Sequence, residues 1–235
     1  QRRLFNMALE WKYIGKLHEY PEAEDVKTCK MVKNVRIKHK SDGGSWENEQ
    51  QKYNGHVEIM KTMDMSIPRN QFYLAQSLRA AGRMREAIQE YKKRIQMKSG
   101  WNQEAVYSQL MIARIYQQLN ENDRAFLEYM ECYEMDNERK EAVAEILIML
   151  RLKEKHSLGR LFGNELLKME KHENSGKIFE EPINWPRVYE DIGLCEYYTG
   201  RKNKAKVLWK KILKMPQVDE EITKRTKENL KFVSR

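Results

Sequence analysis

The chain has 235 residues, enough for one large or two small domains, with 40% apolar and 34% charged residues, 11 Gly and 5 Pro. That balance fits a helix-rich chain with solvated outer faces and argues against a β sandwich, and no apolar run reaches the roughly 18 residues of a membrane span. The formal charge is +9, with basic residues concentrated at 33–40 and 201–214, and such a surface can hold nucleic acid, anionic lipid or phosphates.

The stretch 1–65 is unlike the rest. "RRLFN" (2–6), "EWKYIGKLHEY" (10–20) and "KNVRIKHK" (33–40) alternate apolar and polar residues, the period of strands. "SDGGS" (41–45) reads as a turn, and the stretch from Trp46 through Tyr53, Val57 and Met60 predicts a helix. Three such strands are not expected to form a free-standing domain without partners. Their partners are expected upstream of Gln1, because the chain opens without a start methionine, a leader or a linker.

Helical hairpins are predicted from about position 66 onward. Pro68 suits the first turn of a helix, where its missing N–H is unpaired anyway. Leu74, Ala75, Leu78 and Ala81 mark one helical face; after Gly82, Met84, Ala87, Ile88, Tyr91 and Ile95 mark another. The same grammar returns at one constant offset, where Ala113, Ala125 and Tyr129 match Ala75, Ala87 and Tyr91. A third copy has Leu147 and Gly159 in the places of Ala113 and Ala125, at a slightly shorter offset. A fourth carries Gly193, Gly200, Ala205 and Trp209. Gly159 and Ala205 are farther apart than the equivalent residues of earlier copies, which implies an insert at about 172–187. It is read as a packed loop, because "KIFEEPINWPRVYED" has two prolines and no clean period. Gly163 stands where other copies have Tyr91, Tyr129 and Trp209, so a shallow groove is expected there, open to another chain or, the favoured reading, filled by the insert. The polar tail after Asp219 predicts a capping helix. In 201–214, Lys206, Lys210 and Lys214 fall opposite Ala205, Leu208, Trp209 and Ile212, which is ordinary amphipathicity.

Cys29, Cys132 and Cys195 are odd in number and far apart, which argues against a disulfide framework and for a reducing, cytoplasmic setting. GxxxxGK[ST], GxGxxG, DxD and HExxH do not occur, and the five histidines lack zinc-ligand spacing. No nucleophile, base and orienting acid can be assembled from the chain. Its aromatics follow the core period and do not interleave with basic residues, which argues against nucleic acid.

A small residue in the first helix, a turn Gly or Asn, a small residue in the second helix and then an aromatic: the series resembles the tetratricopeptide repeat. The fold class expected is therefore mainly α, a solenoid of tetratricopeptide-like helical hairpins over 66–235, preceded by a small β-containing segment over 1–65. That opening segment, with "RRLFN", Trp11, Gly15 and "HEY", is similar to the end of the catalytic domain of family-2 glycosyltransferases of GT-A type. The likeness continues in order through "IKHKSDGGS", "RNQFYLAQSLRAAG", "EYKKRI", "GWNQEAVYS" and "IFEEPINWPRVYE", and looks like a subgroup in which repeats follow the transferase domain.

The resemblance implies transfer of a sugar from a nucleotide-sugar donor to a glycan or protein acceptor, with a divalent cation (Mn or Mg) on the leaving diphosphate. It places His18 as a metal ligand, Glu19 as a carboxylate that orients His18 or lines the acceptor pocket, Trp11 as a stacking platform for sugar, and Gly15 where backbone approaches substrate. The chain lacks the DxD strand of such a site, so this stretch by itself is expected to be inactive and to hold no cofactor. The alternative is a non-enzymatic interaction module whose repeats hold a peptide in their groove, with 1–65 as a cap.

Overall fold

The computed structural model describes residues 8–24, 26, 49–170 and 179–233. Among these, two short strands, β1 (Lys12–Ile14) and β2 (Tyr20–Glu22), precede ten helices: α1 (Glu49–Lys61), α2 (Pro68–Ala80), α3 (Met84–Gln96), α4 (Asn102–Gln118), α5 (Asn122–Met135), α6 (Lys140–Leu152), α7 (His156–Met169), α8 (Trp185–Tyr198), α9 (Lys202–Ile212) and α10 (Glu220–Phe232). The chain divides into two compact units, Gln1–Asn102 and Gln103–Arg235.

In the first unit, "EWKYIGKLHEY" is a hairpin and not the single strand its alternation predicts. β1 and β2 pair antiparallel, with Lys12 opposite Glu22 and Ile14 opposite Tyr20. Gly15, at φ 107°, and His18, at φ 54°, turn the chain between them. The period-2 signal survives in each arm but cannot report a reversal between them. The strands expected at 2–6 and 33–40 and the turn at 41–45 lie outside the described residues. The helix expected through Tyr53, Val57 and Met60 is α1, with Val57 and Met60 buried. Pro68 opens α2 as expected, and Phe72, Ala75 and Leu78 are buried on one face of it; Ala87, Ile88 and Tyr91 are buried on α3.

The hairpins α2–α3, α4–α5, α6–α7 and α8–α9 are closed by one device. Gly82, Asn120, Glu154 and Gly200 each follow the first helix with φ between 56° and 81°. One residue further, the amides of Arg83, Glu121, Lys155 and Arg201 donate to the carbonyls of Leu78, Tyr116, Leu150 and Glu196 at 2.8–2.9 Å. This is the Schellman ending, which satisfies carbonyls that a helix C-terminus leaves open. Glu154 fills the third copy without the freedom of Gly or the local tolerance of Asn. The first two hairpins share a further bond: Gln71 Nε2 donates to the carbonyl of Glu90 at 3.1 Å, and Gln109 Nε2 to that of Glu128 at 3.0 Å.

Close approach explains the small residues. A Cβ on Gly163 would stand 2.7 Å from Ile192 Cγ1, and one on Gly159 2.7 Å from Cys195 Sγ, so α7 and α8 meet nearly backbone to side chain. The space at Gly163 is thus taken by Ile192 of α8, and Ile183 and Trp185, from the stretch read as an insert, pack against the same core. Val143, Leu147, Leu166, Val188, Ile192 and Cys195 form the core there; Tyr189, Ala205, Trp209, Ile212 and Ile222 form the next. Each such large apolar side chain contributes about 1.5–3 kcal/mol on burial. Burial also pushes the thiols of Cys132 and Cys195 up to about 12 and about 11, so both are protonated packing groups.

Residues 185–191, expected within the loop, are the first two turns of α8, with Asn184 accepting from the amide of Arg187 at 3.2 Å and Pro186 in the first turn. The capping helix α10 starts after Asp219, whose carboxylate accepts from the amides of Glu221 and Ile222 at 2.9 and 3.2 Å. Lys210 and Lys214 are exposed, opposite the buried Ala205, Trp209 and Ile212.

Two substitutions test these assignments by urea unfolding. Gly163→Ala should cost about 1–3 kcal/mol, because Ile192 stands where the new Cβ must go. Glu154→Gly should gain about 0.5–1 kcal/mol by relieving the left-handed backbone, net of glycine's larger unfolded-state freedom.

Candidate functional site

The hairpin turn of the first unit gathers three of the four residues singled out in the sequence. Gly15 begins the turn, and a Cβ there would lie 3.2 Å from the carbonyl oxygen of Leu17, so its conformational freedom serves the reversal itself. His18 and exposed Glu19 end it. Trp11 precedes β1 at the open end of the hairpin, half-buried and away from the turn.

His18 stacks face to face on Tyr73 of α2, with ring centroids 3.9 Å apart, and meets the His56 ring of α1 edge-on at 6.4 Å. Arg69 donates to the Tyr73 hydroxyl at 3.1 Å, and its guanidinium also lies 5.5 Å from the centre of the Tyr20 ring. Lys16 adds a bond to Thr62 at 3.2 Å. One face of the imidazole is covered in this way while the rest of His18 meets solvent. Loss of water from the ring, then the His56 and Arg69 charges, lower the His18 pKa to about 4. The imidazole is therefore neutral at physiological pH, the form that ligates metals or accepts protons. Among the described residues no group of three or more His, Cys, Asp or Glu side chains is placed to hold a metal ion. Tyr73, Arg69 and His56 carry no signal of their own in the sequence; each lies on a helix whose pattern reads as ordinary amphipathicity.

A second arrangement lies in the other unit, and sequence reasoning reached only the loop it comes from. Residues 179–184, just before α8, run as irregular chain against α4 and α6. Arg114 of α4 grips Glu181 with both guanidinium nitrogens, at 2.5 and 2.8 Å. The amide of Glu181 donates to the Glu141 carboxylate at 3.2 Å, and Lys140 stands 3.8 Å from Glu180. The Phe179 ring packs on Tyr107 at 4.9 Å, and Tyr107 in turn has the Arg139 guanidinium 5.5 Å from its centre. Arg139 and Glu141 are buried and paired at 3.2 Å, which fixes the carboxylate that reads the backbone. The segment is thus held by an aromatic, by two cations and through its main chain.

A polar cluster continues along α6, α8 and α10. Asp191, 1% exposed, lies between Arg151 and Arg187, and Arg225 makes a bidentate pair with Glu190 at 2.7 and 2.9 Å. Burial raises the Asp191 pKa, against the pull of both arginines. These residues line a cleft of about 370 Å³. The acids in "YEDIGLCE" could have flagged it, because three carboxylates fall among the apolar core positions of α8.

A tetratricopeptide repeat family profile matches residues 106–139, which span most of α4, all of α5 and the turn between them. Among solved structures the chain is similar to MamA, with 13% identity and a TM-score of 0.53 over 76% of this chain and 93% of that one. BtubC from P. vanneervenii gives 15% and 0.58 over 80% and 82%. YrrB, a TPR protein with an unusual peptide-binding site, gives 13% and 0.52 over 77% and 84%. The repeats are tetratricopeptide-like. At these identities the likeness is one of fold. No curated protein sequence matches the chain. Among the described residues no helix is long and apolar enough to cross a membrane.

The His18 contacts predict a titration. Between pH 6.5 and about 4 the unfolded chain takes up a proton that the folded imidazole refuses, so the stability of this contact is full above pH 6.5 and is lost as pH falls toward 4. By NMR, His18 should titrate near 4, and Tyr73→Ala should move it up toward 6.5; a midpoint near 6.5 in the unmodified chain would contradict the stacking.

Proposed function

We propose that this chain is a protein-interaction module whose second unit binds extended peptide segments across the faces of α4 and α6. The observation that carries it is the hold on residues 179–184, where Arg114 and Lys140 take carboxylates, Tyr107 takes an aromatic ring, and Glu141 takes a backbone N–H. A surface that reads main chain and successive side chains together is how repeat grooves recognise peptides. Selection of a random peptide library on the chain should enrich ligands that Arg114→Glu and Lys140→Glu weaken. Loss of one charge-assisted contact costs about 1.5–3 kcal/mol, roughly ten- to a hundredfold in affinity. Selected peptides that bind both variants as tightly as the parent would sink the reading.

A second reading takes the first unit as the end of a family-2 glycosyltransferase domain, with the repeats as its scaffold or acceptor-binding surface. It is supported by the ordered resemblance and by the turn that brings Gly15, His18 and Glu19 together. In it His18 is the metal ligand, Glu19 the neighbouring carboxylate, and Trp11 the sugar platform, while the nucleotide-sugar site with its DxD lies outside these residues. Titration with Mn²⁺ should broaden the imidazole signals of His18 ahead of those of His56 and His156. Equal broadening of all three would count against it.

A further inference from the structure

The segment at 179–184 has the sequence "FEEPIN" and belongs to the same chain that grips it. We propose that it is a displaceable occupant: the face of α4 and α6 is a site for an extended acidic peptide in trans, an aromatic followed by two carboxylates, which the chain's own copy keeps closed. This rests on the peptide-binding reading and names both the ligand chemistry and its control.

Three observations carry it. The chemistry is complementary at successive residues, with Phe179 on Tyr107, Glu180 near Lys140 and Glu181 on Arg114. One backbone bond, from the Glu181 amide to Glu141, fixes the register independently of side-chain identity. The occupant is also imperfectly seated: Phe179 is 50% exposed and sits at φ 50°, a left-handed conformation that a bulky residue adopts only under constraint. A free peptide, not tethered to α8 at Asn184, can place its aromatic ring on Tyr107 without that strain. Against it stands the local concentration of the tethered copy, on the order of millimolar for a short connection. The unmodified chain should therefore bind such a peptide weakly, and loosening the tethered copy should reveal the site.

The test uses a fluorescein-labelled peptide of sequence FEEPIN and the full chain, read by fluorescence anisotropy. The Phe179→Ala/Glu180→Ala/Glu181→Ala variant keeps Tyr107, Arg114, Lys140 and Glu141, and should bind the peptide at least about tenfold tighter than the unmodified chain. Glu181→Gln alone, which nearly keeps the shape, should show part of the gain. Adding Arg114→Ala to the triple variant, or replacing both glutamates of the peptide by glutamine, should abolish it. A triple variant that melts as cooperatively as the parent yet binds no tighter overturns the proposal, as does equal binding of the glutamine peptide. If library-selected peptides bind the Arg114 face while FEEPIN does not, the closed-site inference fails and the interaction reading stands; if neither binds, both fail.

Discussion

Each helical hairpin in this protein depends on a chain reversal that forces one residue into a left-handed conformation. Gly82, Asn120, Glu154 and Gly200 take that position, and the hydrogen bonds that follow them tie the next residue back to the last turn of the preceding helix. Once the reversal is fixed, the two helices must lie side by side, and the residues between them must be small or interlocked. Gly193 is the consequence within the α8–α9 hairpin, since Trp209 occupies the volume its side chain would need; Gly159 and Gly163 meet the same demand between neighbouring hairpins, against Cys195 and Ile192 of α8. The small residue at 193 and the turn at Gly200 are thus one constraint seen at two places.

Regularity of the hairpins is also what makes an insertion informative. A loop added between α7 and α8 does not disturb the pairing of either helix, so it is free to be used elsewhere. Its described part lies against α4 and α6, where Arg114, Lys140 and Tyr107 face Glu181, Glu180 and Phe179. Arg139 and Glu141 beneath are too deeply buried to be surface decoration, and a buried pair of this kind is costly unless each partner is held. Its use is to aim one carboxylate at a backbone amide.

The hairpin of the first unit follows a different logic. It has almost no core of its own, because a two-stranded ribbon is marginal in water, and it relies on the stacking of His18 on Tyr73 and on Lys16 reaching Thr62. The same contact that anchors it also sets the protonation state of His18. Packing and protonation are coupled there through a single imidazole.

Much of the fold was legible in the sequence because hairpin repeats are local: Ala75 and Ala113, Ala87 and Ala125, Tyr91 and Tyr129 repeat at one offset, and helix period, caps and turn residues all act within a few residues of each other. The turn at Glu154 escaped because its residue type carries no turn signal, although its φ matches the others. The hairpin at 12–22 was hidden because alternation does not change when a strand doubles back. Nothing local could place Glu181 against Arg114, far behind it in the chain, or His18 against Tyr73. By itself the sequence determined helices, turns and their repetition, since these follow from short-range sterics and apolar period. Only the tertiary structure decided which distant charges and rings meet, because pairing across separate elements depends on how their backbones pack and not on the order in which they are written.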